Sequence, residues 1–486
     1  MRRFNREAVV VTTALLLGVV SCSNDNQAGH AEAIVEPVQE AVHSAPGPVS
    51  VTVDAIRDFE GAEGYTYAEV TMRGAVERDD GSVGEYAVPI VLIYPQDGGN
   101  GVGVVDWLNT VSLSLGGFTA TADEWMPGQF ALHTTNGYLL ESGFTYAGVQ
   151  WDKAVTDYFG SSAPEGGEAH SHLIYGTIEK PGDAFDILRH AADFLRDPSA
   201  LEGAEGLVPV NAVLSSGFSQ TGMLQMQFLS RGKNMRNGER LYDGHLIGKA
   251  GWNCLTFHNE PPVYSEFEPC NERPAEDGSK VIHVAAQGDV EAFFYAGRSR
   301  FPDKPDWRQY ELAGVSHLPA SLFPGLDENQ NPVSSNPAFR AAFENVARWV
   351  VEDIEAPPSR FLEGTLNADG SFDTALDEDG NALGGLRLPH MEQLIDGAVA
   401  GAPIGTYSGK NPEVEVDPEA ELGPHVLRWI GGYFQPFTDA ELTERYPDDD
   451  TYQQRVARAA DHLLQAGYIL EQDRDAYVEE AMAPRD

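Results

Sequence analysis

Strand-like and helical segments alternate along most of this chain, and this alternation limits the fold more than any other feature. Three strand-like runs illustrate it: YAVPIVLIYP (86–95), GVGVVDWLNT (101–110) and KVIHVAAQGDV (280–290). Helical periodicity of apolar residues appears in the segments 181–197 and 336–351. Strands that alternate with helices predict an α/β fold, in which a mostly parallel central sheet is flanked by helices on both faces.

One strand-to-helix junction, VLSSGFSQTG (213–222), places a serine at the tip of a tight turn. Residues 217–221 follow the G-x-S-x-G pattern, except that Thr221 occupies the position of the second glycine. Such a turn exposes the serine oxygen, and the start of the next helix favours negative charge beside it. We therefore predict that Ser219 is a catalytic nucleophile. The alternative is an ordinary Gly/Ser-rich turn.

A serine nucleophile needs a base, and the base needs an acid that orients it. His317 directly follows the strand-like run YELAGVS, and Asp289 lies in the turn QGD after another strand. Both lie after Ser219 in the order nucleophile, acid, base. Glu291 is an alternative acid. A local turn contact for Asp289 and a surface position for His317 would be the non-catalytic interpretation.

Catalysis of acyl transfer also needs backbone N–H donors for the oxyanion. We expect one from Gln220, the residue after the predicted nucleophile. The other should come from the loop after the strand at 101–110, at Asn109 or Thr110. Asn109 could equally be a residue that ends the strand.

The charge and the motifs exclude several functions. The 32 basic and 75 acidic residues give a formal net charge of −43, which argues against binding of nucleic acid. No phosphate-binding loop or dinucleotide fingerprint occurs, so we expect no cofactor. We expect no metal site either, because EAHSH (168–172) is explained by a polar loop. The sequence does not indicate an oligomeric state.

The N-terminus has the features of an export signal. Arg2, Arg3 and Arg6 precede an apolar run too short to span a membrane comfortably. VVSC (19–22) resembles the lipobox of bacterial lipoproteins, which implies cleavage after residue 21, lipidation of Cys22 and, with Ser23 next, the outer membrane. The alternative is an ordinary secretory signal. Residues 22–50 would then be a flexible tether, and the lipid would be the chain's contact with the membrane.

The remaining chain suggests a core with additions. We expect a catalytic core at 51–352, an insert at about 231–280 that could cap the site, and an accessory region at 353–486 packed on the core. Cys254 and Cys270 are close in sequence in an exported chain, which favours a disulfide over two free thiols.

Several stretches resemble a bacterial family, the alpha/beta hydrolase domain-containing proteins, from about residue 55 to the C-terminus. The stretches are VVDWLNT (104–110), HLIYGTIEKPGDAFDIL (172–188), GFSQTG (217–222), DWRQYELAGVSH (306–317), DEDGNALGGLRLP (377–389) and PFTDAELTERYPDDDTYQQRVARAADHLLQAGYI (436–469). The resemblance implies an α/β-hydrolase fold with Ser219 and His317 as catalytic positions. Relatives tend to carry Glu-x-Asp at the acid, whereas this chain has Gln287 at the first position.

Together these patterns predict a serine hydrolase, with a carboxylic ester of a small molecule or polymer as its substrate. A peptidase or amidase would use the same residues. A surface binding lipoprotein on an inactive hydrolase fold is the alternative that is not an enzyme.

Overall fold

The computed structural model describes most of the chain after the N-terminal segment. The described ranges are 49–78, 80–109, 130–135, 137–153, 156–157, 176–202, 206–251, 253–257, 265–269, 274, 276–293, 296–302, 304–318, 329–414 and 428–483. The predicted signal peptide (1–21), Cys22 and nearly all of the tether (22–50) lie outside them, as do Thr110 and Cys270.

The described residues form twenty-one strands and eight α-helices. The strands are β1 (Ser50–Asp58), β2 (Tyr65–Glu77), β3 (Val83–Pro95), β4 (Val102–Trp107), β5 (Thr145–Val149), β6 (Thr177–Ile178), β7 (Leu201–Glu202), β8 (Ala212–Phe218), β9 (Met235–Arg236), β10 (Glu239–Arg240), β11 (Gly244–Gly248), β12 (Asn253–Phe257), β13 (Ser265–Pro269), β14 (Lys280–Ala286), β15 (Trp307–Leu312), β16 (Gly364–Leu366), β17 (Phe372–Thr374), β18 (Gln393–Ile395), β19 (Ala398–Ala400), β20 (Gly405–Ser408) and β21 (Tyr433–Pro436). The helices are α1 (Phe130–Thr135), α2 (Tyr138–Glu141), α3 (Ala184–Arg196), α4 (Gln220–Ser230), α5 (Asn336–Val351), α6 (Asp439–Arg445), α7 (Asp449–Gln465) and α8 (Glu471–Met482).

Eleven of these strands form one central sheet. Its order is β15-β14-β11-β8-β4-β5-β3-β2-β1-β7, and β6 pairs with β3. The six strands from β15 to β5 are parallel to one another, whereas the pairs β5–β3, β3–β2 and β2–β1 are antiparallel. The prediction of a mostly parallel sheet flanked by helices is confirmed.

The order of the sheet reverses direction at β4. The chain passes from β4 to β5 on one side, and later returns to place β8 on the other side. In open α/β sheets, such a switch point leaves a crevice at the carboxyl ends of the two diverging strands. Asn109 follows β4 and Ser219 follows β8, so both residues lie beside this crevice.

Alternating side chains along the central strands supply two cores. In β4, Val104 packs in the core with α1, α2 and α5, while Val105 and Trp107 pack in the opposite core with α3 and α4. This alternation follows from the two-residue period of a strand. The α3 helix buries Phe185, Leu188, Ala192 and Leu195, as its sequence predicted.

Segment 231–280, predicted as an insert, is not wholly peripheral. Strand β11 lies within it, hydrogen-bonded between β8 and β14 in the middle of the sheet. The run GHLIG is short and contains two glycines, so its strand character is weak in the sequence. Four aromatic residues were expected to shape such a cap. Trp252 and Tyr264 lie outside the described ranges, whereas Phe257 and Phe267 lie in β12 and β13, so the cap stays a prediction.

The C-terminal region adds small antiparallel pairs and three helices to the core. The three helices are α6, α7 and α8. Helix α7 buries Val456, Ala459 and Leu463 on one face. Ala460 and Leu463 belong to the same apolar cluster as α5, so this region is continuous with the core. Among the described residues, no helix combines the length and the apolar character needed to cross a membrane.

Asp106 in β4 is a buried carboxyl group with a structural task. Its Oδ2 accepts hydrogen bonds from the Tyr146 hydroxyl at 2.9 Å and from the Ala131 N–H at 3.1 Å, which fastens α1 to the sheet. Burial raises the pKa of Asp106 to about 7, and these hydrogen bonds oppose that effect. The folded protein therefore keeps a proton on Asp106 at pH values where the unfolded chain has lost it.

We expect Asp106→Asn to stabilise the protein at alkaline pH. Because the folded-state pKa is raised, Asp106 costs no stability below about pH 4, and the cost grows as pH rises to about 7. The advantage of the variant over wild type in urea unfolding should therefore be small at pH 4.5 and on the order of 2–4 kcal/mol at pH 8. The exposed Asp353→Asn serves as control. An equal difference at both pH values would contradict the expectation.

Candidate active site

Ser219 lies at the junction of β8 and α4 in a strained backbone conformation. Its φ is 59° and its ψ is −114°, a backbone conformation that residues other than glycine rarely adopt. The Ser219 N–H donates to the Gly248 carbonyl at 2.8 Å, and its carbonyl accepts from Met223 at 3.1 Å. The turn is therefore held on both sides. Ser219 is only partly buried, whereas its neighbours Phe218 and Gln220 are buried.

Close packing explains which small residues the turn requires. A Cβ on Gly217 would lie 2.6 Å from the Thr221 carbonyl oxygen, and one on Gly222 would lie 2.6 Å from the Ala250 Cβ. Thr221, the departure from the pattern, instead accepts a hydrogen bond from the Phe218 N–H through its hydroxyl at 2.8 Å. The second essential glycine is therefore Gly222, one position later than the motif suggests.

His317 connects Ser219 to Asp289. The His317 Nε2 lies 3.1 Å from the Ser219 Oγ, and its Nδ1 lies 2.7 Å from the Asp289 Oδ1. The second carboxylate oxygen of Asp289 accepts the Ala286 N–H at 2.8 Å, which fixes the plane of the carboxylate. His317 and Asp289 are both buried. With a proton on Nδ1, the imidazole donates to Asp289 and accepts from the serine hydroxyl.

The alternative acid, Glu291, is occupied elsewhere. Its Oε1 accepts hydrogen bonds from Gln287 and Thr374, both at 2.9 Å, and its Oε2 pairs with Lys410 at 2.7 Å. Gln287, where the related family tends to have Glu, also accepts the Gly314 N–H at 3.0 Å. The structure therefore brings Asp289 to His317 and uses Glu291 to attach the acid turn to the C-terminal region.

Two of the three residues expected to donate to the oxyanion, Gln220 and Asn109, are described by the structure, and both lie at the crevice. Gln220 is the first residue of α4, where helical N–H groups point outward. The Asn109 side chain donates to the Phe218 carbonyl at 2.8 Å, so it ties the end of β4 to the nucleophile turn. Thr110 lies outside the described residues. The side chain of Asn109 thus has a structural task at the end of β4.

A second serine–histidine pair provides an internal comparison. The Ser215 Oγ lies 2.6 Å from the His245 Nδ1 and accepts from Gln225 at 2.7 Å. Ser215 is fully buried within β8, and the Nε2 of its histidine has no hydrogen-bond partner among the described residues. A hydrogen bond between a serine and a histidine is thus not sufficient to identify a nucleophile. Ser219 differs from Ser215 because it lies in a strained turn and is accessible to solvent.

The predicted disulfide stays a prediction. Cys254 lies in β12, where it pairs with Glu268 of β13, and Cys270 follows β13 outside the described residues.

The arrangement of sheet, nucleophile turn and Ser–His–Asp contacts can be compared with known proteins. A family profile described as "Alpha/beta hydrolase domain" matches residues 61–479. The chain belongs to the alpha/beta hydrolase family. The resemblance that the sequence motifs indicated is thereby confirmed for the family and its fold. No curated protein matches this sequence significantly.

The solved structures that match this alpha/beta hydrolase have low sequence identity and low TM-scores. Oligopeptidase B from Trypanosoma brucei with covalently bound antipain is 14% identical, with a TM-score of 0.28, and the match covers 58% of this chain and 37% of that one. S-formylglutathione hydrolase from Staphylococcus aureus is 8% identical, with a TM-score of 0.23 and coverage of 50% and 88%. Candida antarctica lipase A is 10% identical, with a TM-score of 0.24 and coverage of 41% and 43%. The match to prolyl oligopeptidase B from Galerina marginata covers 36% of that chain, so this chain spans about a third of its length.

Proposed function

We propose that this protein is a serine hydrolase that cleaves carboxylic esters with Ser219 as nucleophile, His317 as general base and acid, and Asp289 as the residue that orients the histidine. The proposal is supported above all by the continuous hydrogen-bonded chain of 3.1 and 2.7 Å through His317. It is further supported by the strained, solvent-accessible turn that presents the Ser219 oxygen at the crevice of the sheet.

In the first half of the reaction, the Ser219 Oγ attacks the acyl carbon of the ester while its proton moves to the His317 Nε2. The carbonyl oxygen becomes an oxyanion, which would accept hydrogen bonds from the Gln220 N–H and from the loop at Asn109 and Thr110. The bond to the leaving alcohol then breaks, and the imidazolium returns the proton to that alcohol. The product is an acyl-serine.

In the second half, His317 takes a proton from water, and the resulting hydroxide attacks the acyl carbon. Collapse of the second tetrahedral intermediate breaks the bond to Ser219, whose oxygen recovers the proton from His317. The acid product leaves. Asp289 keeps its hydrogen bond to the His317 Nδ1 and stabilises the imidazolium that forms in each half.

An ester is the proposed substrate because an alcohol is a better leaving group than an amine. The same residues would serve a peptidase or amidase, which demands more complete protonation of the leaving nitrogen. The ester can belong to a small molecule or to a polymer.

A fluorophosphonate probe tests the proposal directly. At neutral pH the wild-type protein should form a covalent adduct at Ser219, which fragmentation of the labelled peptide distinguishes from the buried Ser215 nearby. Ser219→Ala should abolish labelling and reduce hydrolysis across a panel of p-nitrophenyl esters to the background rate. The matched variant Ser215→Ala should still label.

The panel should include p-nitroanilide amides, because these separate the reaction classes. Turnover of esters with little turnover of amides agrees with the proposal, whereas turnover of amides at comparable rates would indicate an amidase or peptidase. Folded wild-type protein that neither labels nor hydrolyses any member would overturn the proposal and leave a binding protein on an inactive fold.

A further inference from the structure

A buried lysine lies at the centre of the three loops that carry the proposed triad. Lys249 is 1% exposed and directly follows β11, the strand between β8 and β14. Its φ of 42° lies in the left-handed region, which costs energy for a residue other than glycine. A lysine is seldom buried without a specific task.

The backbone beside Lys249 holds both neighbouring strands. The Lys249 N–H donates to the Val284 carbonyl at 2.6 Å, on the strand that leads to Asp289. The carbonyl of the preceding residue, Gly248, accepts the Ser219 N–H at 2.8 Å. Position 249 is therefore fixed relative to both the acid and the nucleophile.

The side chain of Lys249 reaches the third loop. Its Nζ donates to the carbonyls of Ser316 and His317, at 2.9 and 2.8 Å, and lies 5.8 Å from the centre of the Phe218 ring. One ammonium group thus holds the backbone of the proposed general base. Loss of this donor would leave two buried carbonyls without it, which is costly.

The charge of Lys249 also interacts electrostatically with the proposed triad. Burial lowers the pKa of Lys249 to about 7, and the nearby negative charge of Asp289 opposes that effect. Among the described residues, His283 of β14 precedes Val284, which accepts the Lys249 N–H; burial lowers the pKa of His283 to about 4, so that it is neutral near pH 6. At that pH Lys249 is mainly protonated, and its positive charge lies beside the Asp289–His317 pair.

We propose that Lys249 is a positioning residue for the triad: its ammonium holds the His317 backbone through two carbonyls, and its positive charge disfavours protonation of the resting imidazole. Its role in hydrolysis rests on the proposed function. Because a neutral imidazole is the form that accepts the serine proton, this charge extends activity to lower pH. Removal of the charge should raise the proton affinity of His317.

Two substitutions separate the donor from the charge. Lys249→Met removes both, whereas Lys249→Gln removes the charge and keeps an N–H₂ donor on a shorter side chain. Lys304→Met is the matched control, because Lys304 is also buried and donates its Nζ to a backbone carbonyl, that of Pro274 at 3.1 Å. It removes a buried ammonium without touching the triad.

The first measurement is the pH profile of kcat and KM for an ester that the wild type hydrolyses. Lys249→Met should lower kcat by about 10- to 100-fold with little change in KM, since misplacement of a catalytic group acts mainly on the chemical step. The acid limb of the profile should move to higher pH by about one unit in both Lys249 variants. Lys304→Met should leave the acid limb in place.

The second measurement needs no substrate and therefore separates this inference from the proposed function. The low-field proton signal of the His317–Asp289 hydrogen bond, assigned by its loss in His317→Ala, is titrated by NMR in folded protein. A midpoint that moves upward in Lys249→Met and Lys249→Gln, but not in Lys304→Met, supports the inference even if no ester is turned over. An unmoved midpoint in folded Lys249→Met would overturn it.

Discussion

His317→Ala should lower ester hydrolysis by on the order of 10⁴-fold or more and slow fluorophosphonate labelling of Ser219 to a similar degree. The serine stays in its strained turn, but it loses the acceptor that lies 3.1 Å from its oxygen. Asp289→Asn should cost about 10³- to 10⁴-fold, because an amide at this position favours the wrong imidazole tautomer.

Glu291→Gln is the informative comparison for Asp289→Asn. Both remove one buried carboxylate from the same turn, yet only Asp289 contacts the imidazole, whereas Glu291 pairs with Lys410. We therefore expect the Glu291 variant to retain activity within about 10-fold of wild type at 25 °C and to lose thermal stability instead. Steady-state kinetics with thermal melts distinguishes the two effects. Equal losses of kcat in both variants would contradict the assignment of the acid.

Gly409→Ala should also lower activity strongly, although this residue lies in the C-terminal region. A Cβ at this position would lie 2.2 Å from the Gly288 nitrogen, and one on Gly288 would lie 2.4 Å from the Gly409 carbonyl oxygen. Real Cβ atoms do not approach a backbone so closely, so the two chains must separate. Because Asp289 is the next residue after Gly288, its carboxylate should move with them. We expect kcat/KM to fall by about 10²-fold and stability by roughly 1–3 kcal/mol.

Gly182→Ala provides the control for Gly409→Ala. A Cβ on Gly182 meets no atom within 4 Å, so the same substitution should leave activity and stability nearly unchanged. Activity is measured at a temperature where thermal melts show all variants folded. Full activity in folded Gly409→Ala would mean that this contact does not position the acid turn.

Local patterns in the sequence were enough to predict the sheet, the flanking helices and the residues that the structure brings together around Ser219. Each of these depends on signals within a few residues: apolar periodicity, glycines at a turn, and a polar residue just after a strand. The order of nucleophile, acid and base then limits the choice of partners. Asp289 and Glu291 could not be separated this way, because both lie in the same short turn.

Contacts between distant parts of the chain could not be predicted. Lys249 lies in the run IGKAGWN, where a lysine is ordinarily exposed, and its burial results from three loops that meet around it. The pairing of Lys410 with Glu291 joins residues far apart in sequence that no period connects. β11 was missed for a related reason, since its place in the sheet is fixed by its neighbours rather than by its own five residues.

The C-terminal segments 408–411 and 429–432 contact both loops that complete the proposed triad. Besides the approach of Gly409 to Gly288, the Leu318 N–H donates to the Ile430 carbonyl at 2.9 Å, beside His317. A ribosome makes these segments long after it has made the nucleophile, the acid and the base. A chain that ends before residue 408 would therefore contain every side chain of the proposed triad and still lack these contacts to the acid and base loops. On the proposed function, hydrolytic activity would therefore appear only after these segments have been made.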